Sequence, residues 1–353
     1  RVIELGQQRV AELTAGKPTW TLRQGVSIRG YTSTVDGSVQ PYALSLPAGV
    51  DSESGDRWPL YVKLHGRAND MNEVDFIHRH EGKPLAEDQT WIQLDVYGRG
   101  NNAYRWAGET DVFEAITDVR RRFRIDDNRV TLHGFSMGGA GSWHLGLHHP
   151  ATWSSVGPGA GFVDFYKYQK QTEQRPPWQH ANLGIYDAID YSLNAFNVPV
   201  CTYGGENDPQ AEAGRSVVAA AKERNVGIKS LIGAGMGHKF HPDSLKEFMA
   251  FHKEKSAAGR PRILGRPHIR FTTKTLKYND CDWLTIEEME LVYEPATVDA
   301  KVNDRGNVDI TTSNIAVLSL SRDAGTFAII DGESLPCYDA AESLLPNVIY
   351  EKT

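Results

Sequence analysis

Gly134-Phe135-Ser136-Met137-Gly138 is the segment richest in chemical meaning. A strand pattern, Arg129 to His133, precedes it and a helical pattern, Met137 to His149, follows it. A serine between glycines in that context sits on a turn too tight for neighbouring side chains, which lifts its hydroxyl to the positive end of a helix. Gly139 and Gly141 continue the glycine run. The chemistry is acyl transfer: the hydroxyl attacks a carbonyl, a covalent acyl-enzyme forms, and water releases it. A capping serine at a glycine-rich helix start is the simpler reading, and the strand–turn–helix context weighs against it. A serine nucleophile needs a base, an acid that orients the base, and N–H groups for the oxyanion.

Other residues with reactive potential offer less. His144 and His148 lie four apart on the helix after Ser136, which is metal-ligand spacing, but neither an H-E-x-x-H pattern nor a cysteine supports a site. No metal and no cofactor is expected. Cys201, Cys281 and Cys337 are too few and scattered for a disulfide framework or a zinc ribbon; Cys281 could bridge Cys337, or both could be buried thiols.

The elements that must position Ser136 read clearly over most of the chain. Val2 to Ala15 is a helix. Val26 to Thr34 and Val39 to Leu46 are β-like runs joined at Val35-Asp36-Gly37-Ser38, a hairpin signal. Strands then alternate with helices: Trp58 to Leu64, Trp91 to Val96, helix Glu109 to Phe123, Arg129 to His133, and helix Met137 to His149. Val198 to Tyr203, helix Glu212 to Arg224, a strand near Gly227 to Ile232 and helix Asp243 to Lys253 complete the series. Such alternation predicts a mostly parallel sheet covered on both faces. Beyond Ser256 to Pro261 the helical period vanishes, and short runs separated by Asn, Asp and Gly predict a small all-β sandwich. The expected organisation is residues 1–256 for the α/β part, 257–266 for a linker and 267–353 for the β module.

Composition excludes several classes. The 353 residues are 40% hydrophobic and 24% charged, which is globular, and two domains is the length-based expectation. Lysine plus arginine is 38 against 45 acidic residues, a net charge of −7 with no basic block, so a nucleic-acid partner is not expected. No apolar run reaches membrane-spanning length, so no membrane partner is expected either. The chain starts at Arg1 without an apolar signal core and reads as a processed chain or a piece of something longer. A secreted or periplasmic setting is expected, and no feature sets an oligomeric state.

The stretch from about Gly30 to Lys253 resembles serine esterases of the α/β-hydrolase superfamily. The residues that carry this are Leu64-His65-Gly66, Gly134-Phe135-Ser136-Met137-Gly138-Gly139, Gly205-Glu206-Asn207-Asp208 and Gly237-His238. It is most similar to the esterase D, polyhydroxybutyrate-depolymerase and feruloyl-esterase group, and to prolyl-oligopeptidase-like hydrolases. The resemblance implies the α/β-hydrolase fold with its opening antiparallel hairpin, and the chain order serine, acid, histidine. Ser136, Asp208 and His238 then form the triad, with Glu206 the rival acid and His241 the rival base; His241-Pro242-Asp243 reads better as the start of a helix. The oxyanion donors are the backbone N–H groups of Met137 and Arg67. The Arg67 side chain would lie beside the pocket or pair with Asp70.

Further substrate contacts are expected on the same sheet edge. Arg99, Asn101 and Asn102 could bond a polar ligand, with Tyr104 and Trp106 stacking on it, or their loop could pack on Glu109 and Asp111. A cap over residues 162–196 carries Phe165, Tyr166, Tyr168, Trp178, Tyr186 and Tyr191, which suit an aryl ester or a sugar ring, although most would pack the cap itself; Trp178 is the candidate contact. The expected function is hydrolysis of feruloyl or acetyl esters of plant polysaccharide, or similar aryl and short-chain esters. The alternatives are a prolyl-type peptidase, a polyester depolymerase, and a carrier for a carbohydrate-binding module using Phe271, Tyr278, Trp283 and Tyr293.

Overall fold

The computed structural model describes residues 2–17, 25–50, 55–85, 88–170, 173, 175–262, 265–336 and 347–352. After helix α1 (Val2–Thr14), strands β1 (Gly25–Thr32) and β2 (Val39–Leu46) form an antiparallel hairpin that pairs Gly25 with Leu46 and Thr32 with Val39. Its turn closes because Gly37 takes φ +74° and the Asp36 carboxylate accepts the Ser38 N–H at 3.0 Å. Strands β3 (Trp58–Leu64), β4 (Ile92–Val96), β5 (Ile125–Phe135), β6 (Ser155–Gly159), β7 (Cys201–Gly205) and β8 (Lys229–Gly233) run parallel to one another. The sheet order is β1-β2-β4-β3-β5-β6-β7-β8, with β2 antiparallel to both neighbours. This is the expected α/β-hydrolase sheet with its N-terminal hairpin.

The connecting helices are α2 (Glu73–His80), α3 (Ala107–Arg122), α4 (Met137–His148), α5 (Phe165–Gln169), α6 (Pro177–Gly184), α7 (Ala211–Glu223) and α8 (Pro242–Ala258). Side-chain alternation along the strands decides which helix covers which face. Tyr42, Leu44 and Leu46 share a core with Val112 of α3, Trp143 of α4 and Val217 of α7. Ala43, between them, points the other way and meets Phe76 of α2. On that second face Cys201 and Tyr203 pack on Phe248 of α8. No helix among the described residues is long and apolar enough to cross a membrane.

The C-terminal part forms two sheets around one core. β10 (Asp280–Cys281), β11 (Leu284–Glu288), β14 (Val317–Ser321) and β17 (Asn347–Glu351) make one. β9 (His268–Thr273), β12 (Ala296–Val302), β13 (Val308–Ser313), β15 (Phe327–Ile330) and β16 (Glu333–Pro336) make the other, antiparallel except where β13 meets β15. Phe271, Val298 and Ile310 from one sheet pack with Leu284, Ile286 and Leu318 from the other.

The segment expected as a linker is partly helical. Ala257 and Ala258 continue α8, since nothing in Ser256-Ala257-Ala258 breaks a helix, and Gly259 ends it. Arg260 and Arg266 then both pair with the buried Asp282 carboxylate, the latter at 2.6 Å. Cys281 is buried; Cys337 lies outside the described residues.

Several polar contacts join the parts, those of Asn194 and Glu109 among them. Asn194 donates to Thr272 O at 2.9 Å and accepts the Thr272 N–H at 2.8 Å, continuing the edge of β9. Glu109 on α3 receives Tyr278 Oη at 2.9 Å and Lys277 Nζ at 2.6 Å.

Candidate active site

Ser136 stands between β5 and α4 with φ +60° and ψ −120°, a conformation that costs an L-residue energy and recurs at functional turns. Close packing holds it there: a Cβ on Gly138 would come within 2.1 Å of Leu64 O. The Ser136 N–H donates to Gly159 O at 2.8 Å, which ties the turn to the end of β6. Met137 opens α4, so its N–H belongs to the helix-end donors without an intrahelical partner.

The next two loops bring the base and the acid. His238 Nε2 lies 2.8 Å from Ser136 Oγ, and His238 Nδ1 lies 2.7 Å from Asp208 Oδ2. The other Asp208 oxygen accepts the Gln210 N–H at 3.0 Å, so the buried carboxylate is fixed at both ends. The His238 ring rests on Phe135 at 4.9 Å. Glu206, the rival acid, is occupied elsewhere: it accepts the Gly235 N–H at 2.7 Å and joins the loop carrying Asp208 to the loop carrying His238. His241, the rival base, caps α8 by accepting the Asp243 N–H at 3.2 Å.

A second serine–histidine contact, Ser155 Oγ to His252 Nδ1 at 2.9 Å, has a different character. Both side chains are wholly buried beneath the sheet, no carboxylate orients the ring, and burial drives the His252 pKa well down. A nucleophile there has no access to substrate.

The loop after β3 completes the site. Tyr104 Oη accepts the His65 N–H at 2.7 Å and sets the course of His65-Gly66-Arg67. Asn101 brackets the next residue, accepting Ala68 N–H at 3.2 Å and donating to Ala68 O at 2.7 Å. In front of Ser136 opens a cleft of about 420 Å³ lined by Arg67, Asn101, Arg105, Trp106, Phe165 and Tyr168 among others. Arg105 is buried and pairs with Asp187 at 3.3 Å. Burial lowers the Arg105 pKa and lifts that of Asp187 to about 6, where the arginine opposes the rise and Asp164 adds to it.

The sequence-expected substrate contacts divide. Arg67, Asn101, Asn102 and Trp106 line the cleft. Arg99 does not reach it; the guanidinium is spent on Asp36, at 2.5 Å, and on Asp111, at 3.0 Å. Tyr104 is 0% exposed and cannot stack on a ligand. Trp178 lies on α6, 68% exposed and away from the cleft wall. Of the cap aromatics, Phe162, Phe165 and Tyr168 line it, whereas Tyr191 is buried. Arg105, Phe162 and Gln210 also line the cleft, although no sequence motif marks them. The signal available for Arg105 was its place between two aromatics already read as ligand contacts. His144 and His148 are buried, with both His148 ring nitrogens within 2.9 Å of backbone carbonyls, and among the described residues no cluster suits a metal ion. Phe271, Tyr278 and Trp283 are interior, which leaves Tyr293 as the exposed member of that set.

The sheet, the cap and the hydrogen-bonded serine and histidine define a serine hydrolase of the α/β-hydrolase fold. The chain belongs to the esterase family described as "Putative esterase", whose model matches residues 74–261, more than half of its length. Among solved structures it is similar to a ferulic acid esterase, with a TM-score of 0.51 at 17% identity over 67% of this chain and 99% of that one. It is also similar to the fluorophosphonate-binding serine hydrolase F of Staphylococcus aureus, with a TM-score of 0.50 at 15% identity over 66% and 97%. For an acylaminoacyl peptidase of Pyrococcus horikoshii the TM-score is 0.51 at 13% identity, over 65% of this chain and 41% of that one. At these identities the likeness is one of fold. No curated protein matches the sequence.

Proposed function

We propose that this esterase acts through Ser136, His238 and Asp208 on feruloyl or acetyl esters of plant polysaccharide, or on similar aryl and short-chain esters. The observation that carries the reading is the unbroken contact chain from Ser136 Oγ through His238 to Asp208 at the edge of the cleft. In this mechanism His238 Nε2 takes the Ser136 proton as Oγ attacks the ester carbonyl. Asp208 holds the Nδ1–H tautomer and stabilises the imidazolium. The Met137 and Arg67 N–H groups receive the oxyanion. His238 then protonates the leaving alkoxide, and a water attacks the acyl-enzyme by the same steps reversed. Trp106, Phe165 and Tyr168 supply flat apolar surface for an aryl acyl group or a sugar ring. A secreted or periplasmic setting belongs with such a substrate.

The test is a hydrolysis panel of methyl ferulate, p-nitrophenyl acetate, a proline anilide and a plain peptide anilide, run with wild type and Ser136→Ala. Preferential ester cleavage that disappears in Ser136→Ala is the expected result. Cleavage of an anilide would move the protein to the peptidases, and ester turnover surviving in Ser136→Ala would overturn the nucleophile.

A further inference from the structure

Arg105 is an interior charge that faces a ligand space. It is 4% exposed, yet it lines the cleft together with Ser136. The rings of Phe162, at 5.3 Å, and Phe165, at 5.8 Å, cover the guanidinium plane and leave its N–H edges for hydrogen bonds. Asp187 takes one edge donor through a single 3.3 Å contact, and the same oxygen also accepts the Phe165 N–H at 3.1 Å. That is not the two-pronged pairing a buried arginine makes with a dedicated carboxylate. None of the Arg105 nitrogens is sealed off without a partner, so the donors that Asp187 does not use open on the cleft. The backbone is held to this arrangement: Ala103, Tyr104 and Trp106, which flank Arg105, all sit at φ between +55° and +57°. Arg67 brings a second, exposed cation to the mouth of the same cleft.

We propose that Arg105, with Arg67 at the mouth, forms a carboxylate-binding subsite, and that the ester hydrolysed at Ser136 carries a carboxylate near the scissile bond. The proposal rests on ester hydrolysis at Ser136 and names its substrate class. A substrate carboxylate supplies the paired acceptors that Arg105 lacks in the free protein, in a setting shielded from water where such bonds are strongest. The carboxylate belongs either to the acyl side, as in a monoester of a dicarboxylic acid, or to the alcohol side, as in an acylated sugar acid or hydroxy acid.

Paired substrates separate these sources. On the acyl side, 4-nitrophenyl hemisuccinate is compared with its neutral methyl ester. On the alcohol side, 4-acetoxybenzoate is compared with methyl 4-acetoxybenzoate. The charged member of at least one pair is expected to show a kcat/KM roughly 10–100-fold higher, the range that charge-assisted bonds supply. That ratio is expected to fall to about one in Arg105→Met, the loss such bonds predict. Because Arg105→Met leaves Asp187 buried without its partner, Arg105→Met/Asp187→Leu is run beside it. Calorimetric titration of the Ser136→Ala protein with 4-acetoxybenzoate and with hemisuccinate reads the subsite without turnover, and binding should vanish when Arg105→Met is added. Equal rates on the charged and neutral members of both pairs, or binding indifferent to Arg105→Met, would overturn the subsite. Ser136-dependent cleavage of the neutral esters in that case would leave ester hydrolysis standing.

Discussion

The hydroxyl of Tyr104 accepts the backbone N–H of His65 at 2.7 Å, and its ring meets the imidazole edge-on at 5.5 Å between centroids. A fully buried side chain thus props the loop that presents Arg67 N–H. Tyr104→Phe keeps the ring and strands the His65 donor, at a stability cost of about 1–3 kcal/mol. With the loop less firmly set, kcat is expected to fall about tenfold, equivalent to roughly 1.4 kcal/mol, while KM moves less. Steady-state kinetics and urea midpoints check this; a stability loss with kcat intact would confine Tyr104 to packing.

Asp208 and Glu206 stand two residues apart with separate duties. Asp208→Asn keeps the shape but favours the wrong imidazole tautomer, and kcat should drop by on the order of 10⁴. Glu206→Gln removes only the charge from the bond to Gly235 N–H, and kcat should stay within about tenfold of wild type, since a neutral acceptor remains. A reversed ranking in parallel assays would exchange the two assignments.

Stability should decline on mild acidification. Burial pushes the His133 and His144 pKa values down to about 4, and those of His148 and His252 well below the ordinary range. These rings stay neutral when folded but gain protons on unfolding. The stability they retain above about pH 6.5 is therefore lost progressively as pH falls toward 4. His252→Gln removes one such group. The slope of unfolding free energy against pH between 4.5 and 6.5 should flatten, by about one proton's worth at most. An unchanged slope would mean that His252 takes up its proton in the folded state.

Glu109 is a buried charge shared by the two parts of the chain. Burial alone would raise its pKa, but hydrogen bonds from His144 and His149 outweigh this and hold it well below the usual carboxylate range. Tyr278 and Lys277 reach it from the β module. Glu109→Gln leaves these donors poorly compensated and should cost about 3–5 kcal/mol, whereas Tyr278→Phe should cost about 1–2. Denaturant melts followed by fluorescence and by circular dichroism would measure both. A neutral Glu109→Gln would show that the cluster adds little.

The α/β part was legible where local chemistry and tertiary role agree. Val39–Leu46 and Trp58–Leu64 alternate or run apolar as strands must, and the glycines around Ser136 mark the turn by necessity. β6 was not legible: Ser-Val-Gly-Pro-Gly has no strand pattern and is extended because the sheet requires a buried strand between β5 and β7. Nor was α2, whose eight residues make only about two turns and bury one side chain, Phe76, too short a run for a helical period to stand out. The contact chain of Ser136, His238 and Asp208 followed from motif order. The cleft wall did not, because whether Arg99 or Arg105 faces the cleft depends on backbone dihedrals and on carboxylates distant in sequence. Asp36 and Asp111 capture Arg99, while the strained run from Ala103 to Trp106 turns Arg105 inward.

The backbone at Ser136 sits where glycine would be at ease and serine is not. Such a conformation costs of order 1–3 kcal/mol, a noticeable part of the roughly 5–15 kcal/mol that keeps a folded domain together. As the proposed nucleophile, Ser136 is therefore a standing liability to the fold that carries it. A chain with glycine there would be the sturdier molecule and, under the proposed mechanism, an inert one, so selection for stability alone would steadily erase the hydroxyl.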